Sequence, residues 1–378
     1  MEIKTTNYNI KVLLIGRATL FSHSGGDTVQ LTKTAEYLNE IDHLSVDVYT
    51  VNQKIDYTIY SLIHLFNISR PSDLLGVIKK SKKPFVVSTI YVDFSEAEKN
   101  HFKWHRRFVY RVFNSNQLEY IKSLARIIKG QDKLTDFMFV LKGHKKSIQK
   151  IIKDAELLLP NSLNEYKRLA KAFGVEQKFK VIPNAIDLKI FNREITEDDT
   201  SYNKYIDAVI SVGQITPVKN QMNLIKALNN SKFKVFIIGS PSYNAKDYYN
   251  KCKEIAANNI CFIPRLKPIE LAVIYKKARV HVLASWFETT GLVSLEAAYS
   301  GCNIVVSDRG DQFEYFKNDA FYCKPNDTTS ILNAVRKSYS SDFNFELKKR
   351  IKRNLNWEVT AQKTYFAYRQ IFNSDLKE

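Results

Sequence analysis

Apolar residues in this chain fall into short unbroken runs, separated by stretches in which they recur every three or four positions. The runs at residues 10–16, 45–50, 57–66, 84–90, 156–160 and 180–183 have the length and content of strands. Between them, residues 27–40 and 162–173 carry the helical period. The same alternation starts again at residue 207 and continues to residue 322. Strands alternating with helices imply parallel, doubly wound sheets, so the expected fold class is α/β, with ligands at the carboxyl ends of strands. The polar stretch at 192–203, which contains Glu197-Asp198-Asp199, is the expected linker. It separates a first domain over residues 1–191 from a second over 204–356.

Chemistry concentrates in the second domain. Residues 278–284 read as a buried strand, and residues 303–307 as the next one, with Gly301 as the helix stop before it. Between the strands lies Phe287-Glu288-Thr289-Thr290-Gly291-Leu292-Val293-Ser294-Leu295-Glu296-Ala297, two carboxylates eight positions apart around a helix start. Free backbone N–H groups at that start, near Thr290, Gly291 and Leu292, suit a phosphate. A diphosphate there would be flanked by Glu288 and Glu296, each able to accept bonds from hydroxyls. Hexose, diphosphate and ribose have that layout in a nucleotide sugar. Glutamate is common on exposed helices, but Glu296 sits among Leu292, Val293, Leu295, Ala297 and Ala298, and a buried carboxylate needs a partner.

A second segment points the same way. Residues 207–213 read as a strand that ends in the loop Gly213-Gln214-Ile215-Thr216-Pro217-Val218-Lys219-Asn220, ahead of a helix over about 221–229. Lys219 near a helix N-terminus opposes the macrodipole, and a bound anion would relieve the conflict. A solvated surface lysine is the alternative in a chain with 57 Lys+Arg.

On these residues the chain resembles glycosyltransferase family 4, retaining enzymes of the two-domain GT-B fold. The E-x7-E element matches Glu288 and Glu296, and the phosphate-binding strand-loop matches Gly213 to Asn220. Further matches are the turn Val181-Ile182-Pro183-Asn184-Ala185-Ile186-Asp187, the pair Gly25-Gly26 after the first strand, and Trp357-Glu358 opening the last helix. The resemblance implies two Rossmann-like domains facing a central cleft, the first binding acceptor and the second the nucleotide sugar. It also implies that residues 357–378 pack back on the first domain. Lys219 and Glu288 take the catalytic roles. Gly25, Gly26, Gly213, Gln214, Lys219, Asn220, Glu288, Thr290, Gly291, Leu292 and Glu296 take donor-binding roles, with Glu296 on the ribose and Arg265-Leu266 near the base. Two departures stand out. Many family members have arginine where Gln214 stands, and many have a histidine after the fourth strand, where this chain reads Ser88-Thr89-Ile90-Tyr91-Val92-Asp93. Tyr91 or Asp93 is the expected replacement on the acceptor side.

Length and composition change this picture little. With 378 residues and 44% apolar content the chain is too long for one ordinary core and fits two domains. No apolar run approaches the ~18 residues that span a bilayer. Cys252, Cys261, Cys302 and Cys323 lack metal-ligand spacing and read as reduced thiols of a cytoplasmic protein. No Asp-x-Asp pair occurs, so no metal and no cofactor are expected.

Charge adds a partner. The formal net charge is +18, and residues 99–153 hold fourteen Lys/Arg against Glu119, Asp132 and Asp136, interleaved with aromatics such as Phe102, Trp104 and Tyr120. A basic, aromatic segment fits an anionic membrane surface, with Lys103, Arg106, Arg107 and Arg111 facing it. A solvated helix and a nucleic-acid surface are the rivals; no nucleic-acid module is present, and no nucleic-acid partner is expected. Gly25-Gly26 is either a flexible turn or a point of close backbone approach to a ligand, and Asp27 either caps the following helix or holds an acceptor hydroxyl. His64, in an apolar run, reads as a core histidine ahead of a cleft residue.

The expected function is a retaining, metal-independent glycosyltransferase that moves a sugar from a nucleoside diphosphate sugar to a glycan or lipid-linked acceptor. The resemblance implies a place in bacterial surface polysaccharide or lipopolysaccharide assembly, peripheral on the inner face of the cell membrane. A nucleotide-sugar epimerase on the same fold and a catalytically silent partner subunit are the alternatives.

Overall fold

The computed structural model describes residues 10–23, 25–92 and 115–374. They divide into two compact units, one holding residues 10–91, 115–184 and 357–374 and the other residues 92 and 185–356.

In the first unit, β1 (Ile10–Gly16), β2 (Leu44–Thr50), β3 (Leu62–Phe66), β4 (Phe85–Ser88) and β5 (Leu157–Leu158) form a parallel sheet in the order β2-β1-β3-β4-β5. Its helices are α1 (Gly26–Leu38), α2 (Pro71–Ser81), α3 (Ser115–Ile128), α4 (Met138–Asp154) and α5 (Leu163–Phe173). The strands are short because their runs are bounded by polar turns. The central strands are largely apolar because helices cover both faces, as the buried run Leu62 to Phe66 shows, whereas the edge strand β2 alternates with Ser45 and Asp47. Strand order reverses between β1 and β3, which makes their carboxyl ends the switch point of this sheet. Residues 180–183 are extended beside β5 but form no strand: the Lys180 and Ile182 N–H groups reach Leu158 and Pro160 carbonyls. Pro160 and Pro183 remove the donors that a continued ladder needs.

The second unit has six parallel strands in the order β11-β10-β9-β6-β7-β8. These are β6 (Val209–Val212), β7 (Val235–Ile238), β8 (Ile260–Ile263), β9 (Val280–Leu283), β10 (Asn303–Ser307) and β11 (Phe321–Cys323). Its helices are α6 (Leu188–Phe191), α7 (Gln221–Leu228), α8 (Lys246–Ile255), α9 (Pro268–Lys277), α10 (Leu292–Ser300), α11 (Gln312–Phe316), α12 (Thr328–Ser340) and α13 (Phe345–Asn354). Successive strand residues supply two cores. Val209, Val280 and Val282 face one side, and Ile210, Leu283 and Ile304 the other.

The expected linker is ordered structure. Residues Glu197–Tyr205 form a 3-10 helix entered through a capping box between Thr196 and Asp199. Tyr205 is buried against Phe236, with ring centroids 4.5 Å apart, in a core shared with Ile186 and Phe191. The boundary therefore falls between Asn184 and Ala185 rather than within 192–203. A polar composition was outweighed by one buried aromatic and a cap.

The last helix, α14 (Trp357–Ser374), belongs to the first unit and packs on α1. Tyr368 and His64 lie 2.6 Å apart from Oη to Nδ1, and His64 Nε2 lies 2.9 Å from the Ser88 hydroxyl. Thr360 Oγ1 donates to the Pro183 carbonyl at 2.9 Å. His64 is thus a core residue on β3. Burial holds it neutral, its pKa lowered to about 3.

Candidate active site

Strand order in the second sheet reverses between β6 and β9, so the loops leaving those two strands meet at the switch point. The first loop runs from Gly213 through the short 3-10 turn Pro217–Lys219 to Asn220, which opens α7. The second runs from Ala284 to Gly291, which opens α10. Backbone and amide bonds lock them together. Trp286 N–H donates to the Val218 carbonyl at 2.8 Å. The fully buried Asn220 amide donates to the carbonyls of Ala284 at 2.9 Å and Pro325 at 2.7 Å, so this residue braces the loops from beneath.

That brace brings two of the expected catalytic groups into contact. Lys219 Nζ forms an ion pair with Glu288 Oε1, and the Ser285 hydroxyl donates to the same oxygen at 2.8 Å. Glu288 is buried, and among the described residues its Oε2 accepts no hydrogen bond. A buried carboxylate held on one oxygen by a cation and a hydroxyl offers the other to a ligand hydroxyl.

The Glu288 main chain is fixed from a third strand end. Asp311 N–H donates to the Glu288 carbonyl at 2.8 Å, and Gly310 before it has φ +74°. A Cβ at 310 would lie 1.9 Å from the Glu288 carbonyl oxygen, so only glycine fits. Gln312 follows at the start of α11; it is fully buried, and neither amide atom has a partner among the described residues. Its amide lies behind Gly291, within 3.3 Å of where a Cβ there would stand. Thr290, also buried, donates to or accepts from the Tyr315 hydroxyl at 3.2 Å. Leu292 is the first residue of α10, whose opening N–H groups have no helical partner.

Glu296 sits one turn into α10 and is half-buried. Burial pushes its carboxyl up to about 7; the Tyr275 hydroxyl, 3.4 Å from Oε2, opposes the shift and the charge of Asp187 adds to it. Beneath the loops, His281 on β9 is fully buried, with neither ring nitrogen partnered among the described residues. Burial, then the Lys219 charge, lowers its pKa to about 3.

The remaining expected residues separate. Gly213 directly follows β6, and Gln214 is exposed. Arg265 is exposed after β8, its N–H donating to Ser240 Oγ at 3.3 Å, and Leu266 packs against the core. Gly25, Gly26, Asp27 and Tyr91 belong to the first unit. Gly25 is the N-cap of α1 and Gly26 its first residue. Asp27 is therefore not the cap. Its carboxylate pairs with Arg17 at 2.6 Å and accepts from Asn67 Nδ2 at 3.3 Å; burial raises its pKa, but Arg17 and Asn67 carry it net below the usual value. Tyr91 follows β4, with its N–H on Glu165 Oε1 at 2.9 Å and its ring edge-on to Phe173. Asp93, Lys103, Arg106, Arg107 and Arg111 lie outside the described residues.

Sequence reasoning missed Ser285, Tyr275, Gly310, Asp311 and Gln312. Only the polar, glycine-containing run Asp308-Arg309-Gly310-Asp311 after an apolar run signalled a third strand end at the site.

These elements sit on a known domain. Residues 192–356 match the family of glycosyl transferases group 1. The matched span carries every group gathered at the switch point. A D-inositol 3-phosphate glycosyltransferase of Nocardia farcinica is 25% identical over 178 residues, 43% of this chain and 40% of that protein. The chain thus spans about two fifths of the length of such relatives. Among solved structures, a sucrose-phosphate synthase of Thermosynechococcus elongatus shares the fold with a TM-score of 0.73 at 16% identity, over 97% of this chain and all of that one (100%). Anabaena HepE, solved in complex with UDP and glucose, gives a TM-score of 0.68 at 14% identity over 96% of this chain and 100% of its own. The fold is that of the two-domain GT-B glycosyltransferases, with two parallel-sheet α/β units. The part of the second unit that matches glycosyl transferases group 1 is residues 192–356.

Proposed function

We propose that this protein is a retaining glycosyltransferase of family 4 that uses a nucleoside diphosphate sugar. The observation that carries the proposal is the Lys219–Glu288 pair at the switch point, with the N-terminus of α10 beside it and Glu296 one turn further on. The diphosphate takes the α10 N-terminus and Lys219, the hexose hydroxyls take the free oxygen of Glu288, and the ribose takes Glu296. The C1–O bond to the diphosphate breaks, and the acceptor oxygen bonds C1 on the same face. The acceptor proton leaves with the diphosphate. Negative charge grows on the departing group, and in this reading Lys219 and the helix amides stabilise it. A side-chain cation does this work, and metal independence is part of the proposal.

Uridine diphosphate sugars are the first donors to test, because HepE was solved with UDP. A glycan or lipid-linked acceptor in bacterial surface polysaccharide assembly, met at the inner face of the cell membrane, completes the proposal. No helix among the described residues is long and apolar enough to cross a membrane. The test is a thermal-shift screen against UDP-, GDP- and ADP-sugars. A ligand at 100 times its dissociation constant adds about 2.7 kcal/mol. The product of the stabilising donor is then read by NMR for the anomeric configuration. No stabilisation by any nucleotide sugar refutes the donor site, and an inverted product refutes retention.

A further inference from the structure

We propose that the α3–α4 hairpin inserts apolar side chains into an anionic lipid bilayer, a contact that deepens the membrane part of the proposed function. Among the described residues, eighteen large apolar side chains are exposed, and six of them fall in the hairpin: Ile121, Ile128, Leu134, Phe137, Met138 and Leu141. The most exposed are Ile128 at 86%, Leu141 at 69% and Phe137 at 65%. Scattered single residues need no explanation, whereas a third of the total within one hairpin does.

The placement is built. In α3, Ile121 and Ile128 are seven apart and share one face, with the exposed Ala125 between them. The inner face of α3 is held to α4 through Tyr120, whose hydroxyl donates to the Val140 carbonyl at 2.8 Å and whose ring packs on Phe139. The connector is pinned to α2. Asp73 accepts from Lys133 N–H at 2.7 Å, Thr135 Oγ1 donates to the Ser72 carbonyl at 2.7 Å, and the buried Asp132 pairs with Arg70 and Arg126. Ile128, Leu134 and Phe137 therefore stand on an ordered platform.

The charge around them selects the occupant. Lys129, Lys145 and Lys146 are exposed and form no ion pair among the described residues. Protein-docking surfaces are depleted in lysine and enriched in tyrosine, tryptophan and arginine. Apolar side chains on a hairpin that also exposes lysines fit a bilayer instead: the apolar groups enter the acyl boundary while the ammonium groups reach lipid phosphates.

The test is flotation of the full chain with phosphatidylcholine vesicles, with and without phosphatidylglycerol. Wild type is expected to bind the anionic vesicles and to release partly, not wholly, as salt rises. Ile128→Glu with Phe137→Glu should weaken that binding at least about tenfold, while Phe345→Glu, an equally exposed apolar site in the second unit, should leave it unchanged. Phe137→Trp should bind like wild type and shift its emission to the blue on vesicle addition. UDP-induced thermal stabilisation, read in the same variants, should not change. Loss of that stabilisation from wild type would count against the donor site alone. Three results overturn the insertion: unaltered binding by the double variant, an equal loss in Phe345→Glu, or no blue shift. Self-association without vesicles, abolished by the double variant, would reassign the face to a contact between copies of the chain.

Discussion

Gly310 sits directly under the Glu288 main chain, so that the carboxylate's position is set by a residue on the next strand's loop. A Cβ at 310 would fall 1.9 Å from the Glu288 carbonyl oxygen and 2.9 Å from its nitrogen, both main-chain atoms with little room to yield. Residue 310 also has φ +74°, strained for any residue with a Cβ. Gly310→Ala should therefore lower stability by about 1–3 kcal/mol and reduce turnover more than a stability change of that size explains. Thermal denaturation and turnover measured together check this. A variant that folds with full activity would show that Glu288 does not depend on its brace.

Lys219 and Glu288 share one oxygen contact in the ligand-free protein, and in the proposed reaction each must serve the donor. Lys219→Ala should lower turnover at least about tenfold, or about 1.4 kcal/mol, because charge on the diphosphate grows toward the transition state. Affinity for the nucleoside diphosphate should fall less. Glu288→Gln keeps a group that can accept from a hexose hydroxyl but loses the ion pair, so its affinity for the sugar nucleotide should fall relative to that for the bare diphosphate. Calorimetric titration with both ligands separates the two. Equal loss for the two ligands would remove Glu288 from the hexose.

The strands were legible because a parallel strand covered on both faces is a continuous apolar run, and residues such as Val209 to Val212 offer no competing pattern. The two site loops were legible because the spacing of Glu288 and Glu296 straddles a helix start. What escaped was contact made across the sheet: Asp311 bonding Glu288, or the Asn220 amide reaching Pro325, joins residues whose separation leaves no local mark. The linker was misread for the opposite reason. Residues 192–203 are mostly polar, yet Tyr205 just beyond them pulls the segment into the core. Of the two roles open to Asp27, capping is excluded because α1 begins before it: Gly25 is the N-cap, and Asp27 lies in the first turn with its carboxylate on Arg17 and on the Thr28 N–H.

Buried histidines should make the fold acid-sensitive. Burial lowers the pKa of His64 and His281 to about 3 and that of His144 to about 4, against an ordinary value of 6.5. Below pH 6.5 the unfolded chain takes up these protons and the folded protein does not. Stability therefore falls as pH drops from 6.5 toward those values, by up to about 1.4 kcal/mol per pH unit for each group. Tyr368→Phe should cost a further ~1–3 kcal/mol at every pH, since it leaves His64 Nδ1 buried without its partner. Urea denaturation across pH 4–7 checks both; a flat profile would contradict the neutral, buried state of the histidines.

Glu296 should give the site a pH signature of its own. Burial holds its folded pKa near 7, above the ordinary 4.5, so between those values the folded protein keeps a proton that the unfolded chain has released. This group's contribution to stability thus declines as pH rises through that window. Ligand binding should run the other way. Ribose hydroxyls donate to the ionised carboxylate, so a bound nucleoside diphosphate favours the charged form, and affinity should rise with pH across 7. With the ionised form dominating binding, affinity for UDP should increase about tenfold from about pH 6 to pH 8. In Glu296→Gln that increase should vanish and affinity should be weaker at pH 8. Protonation of the diphosphate itself is common to both proteins, so the ratio of their affinities isolates residue 296. Parallel pH profiles in the two would remove Glu296 from the ribose, whatever the absolute affinities.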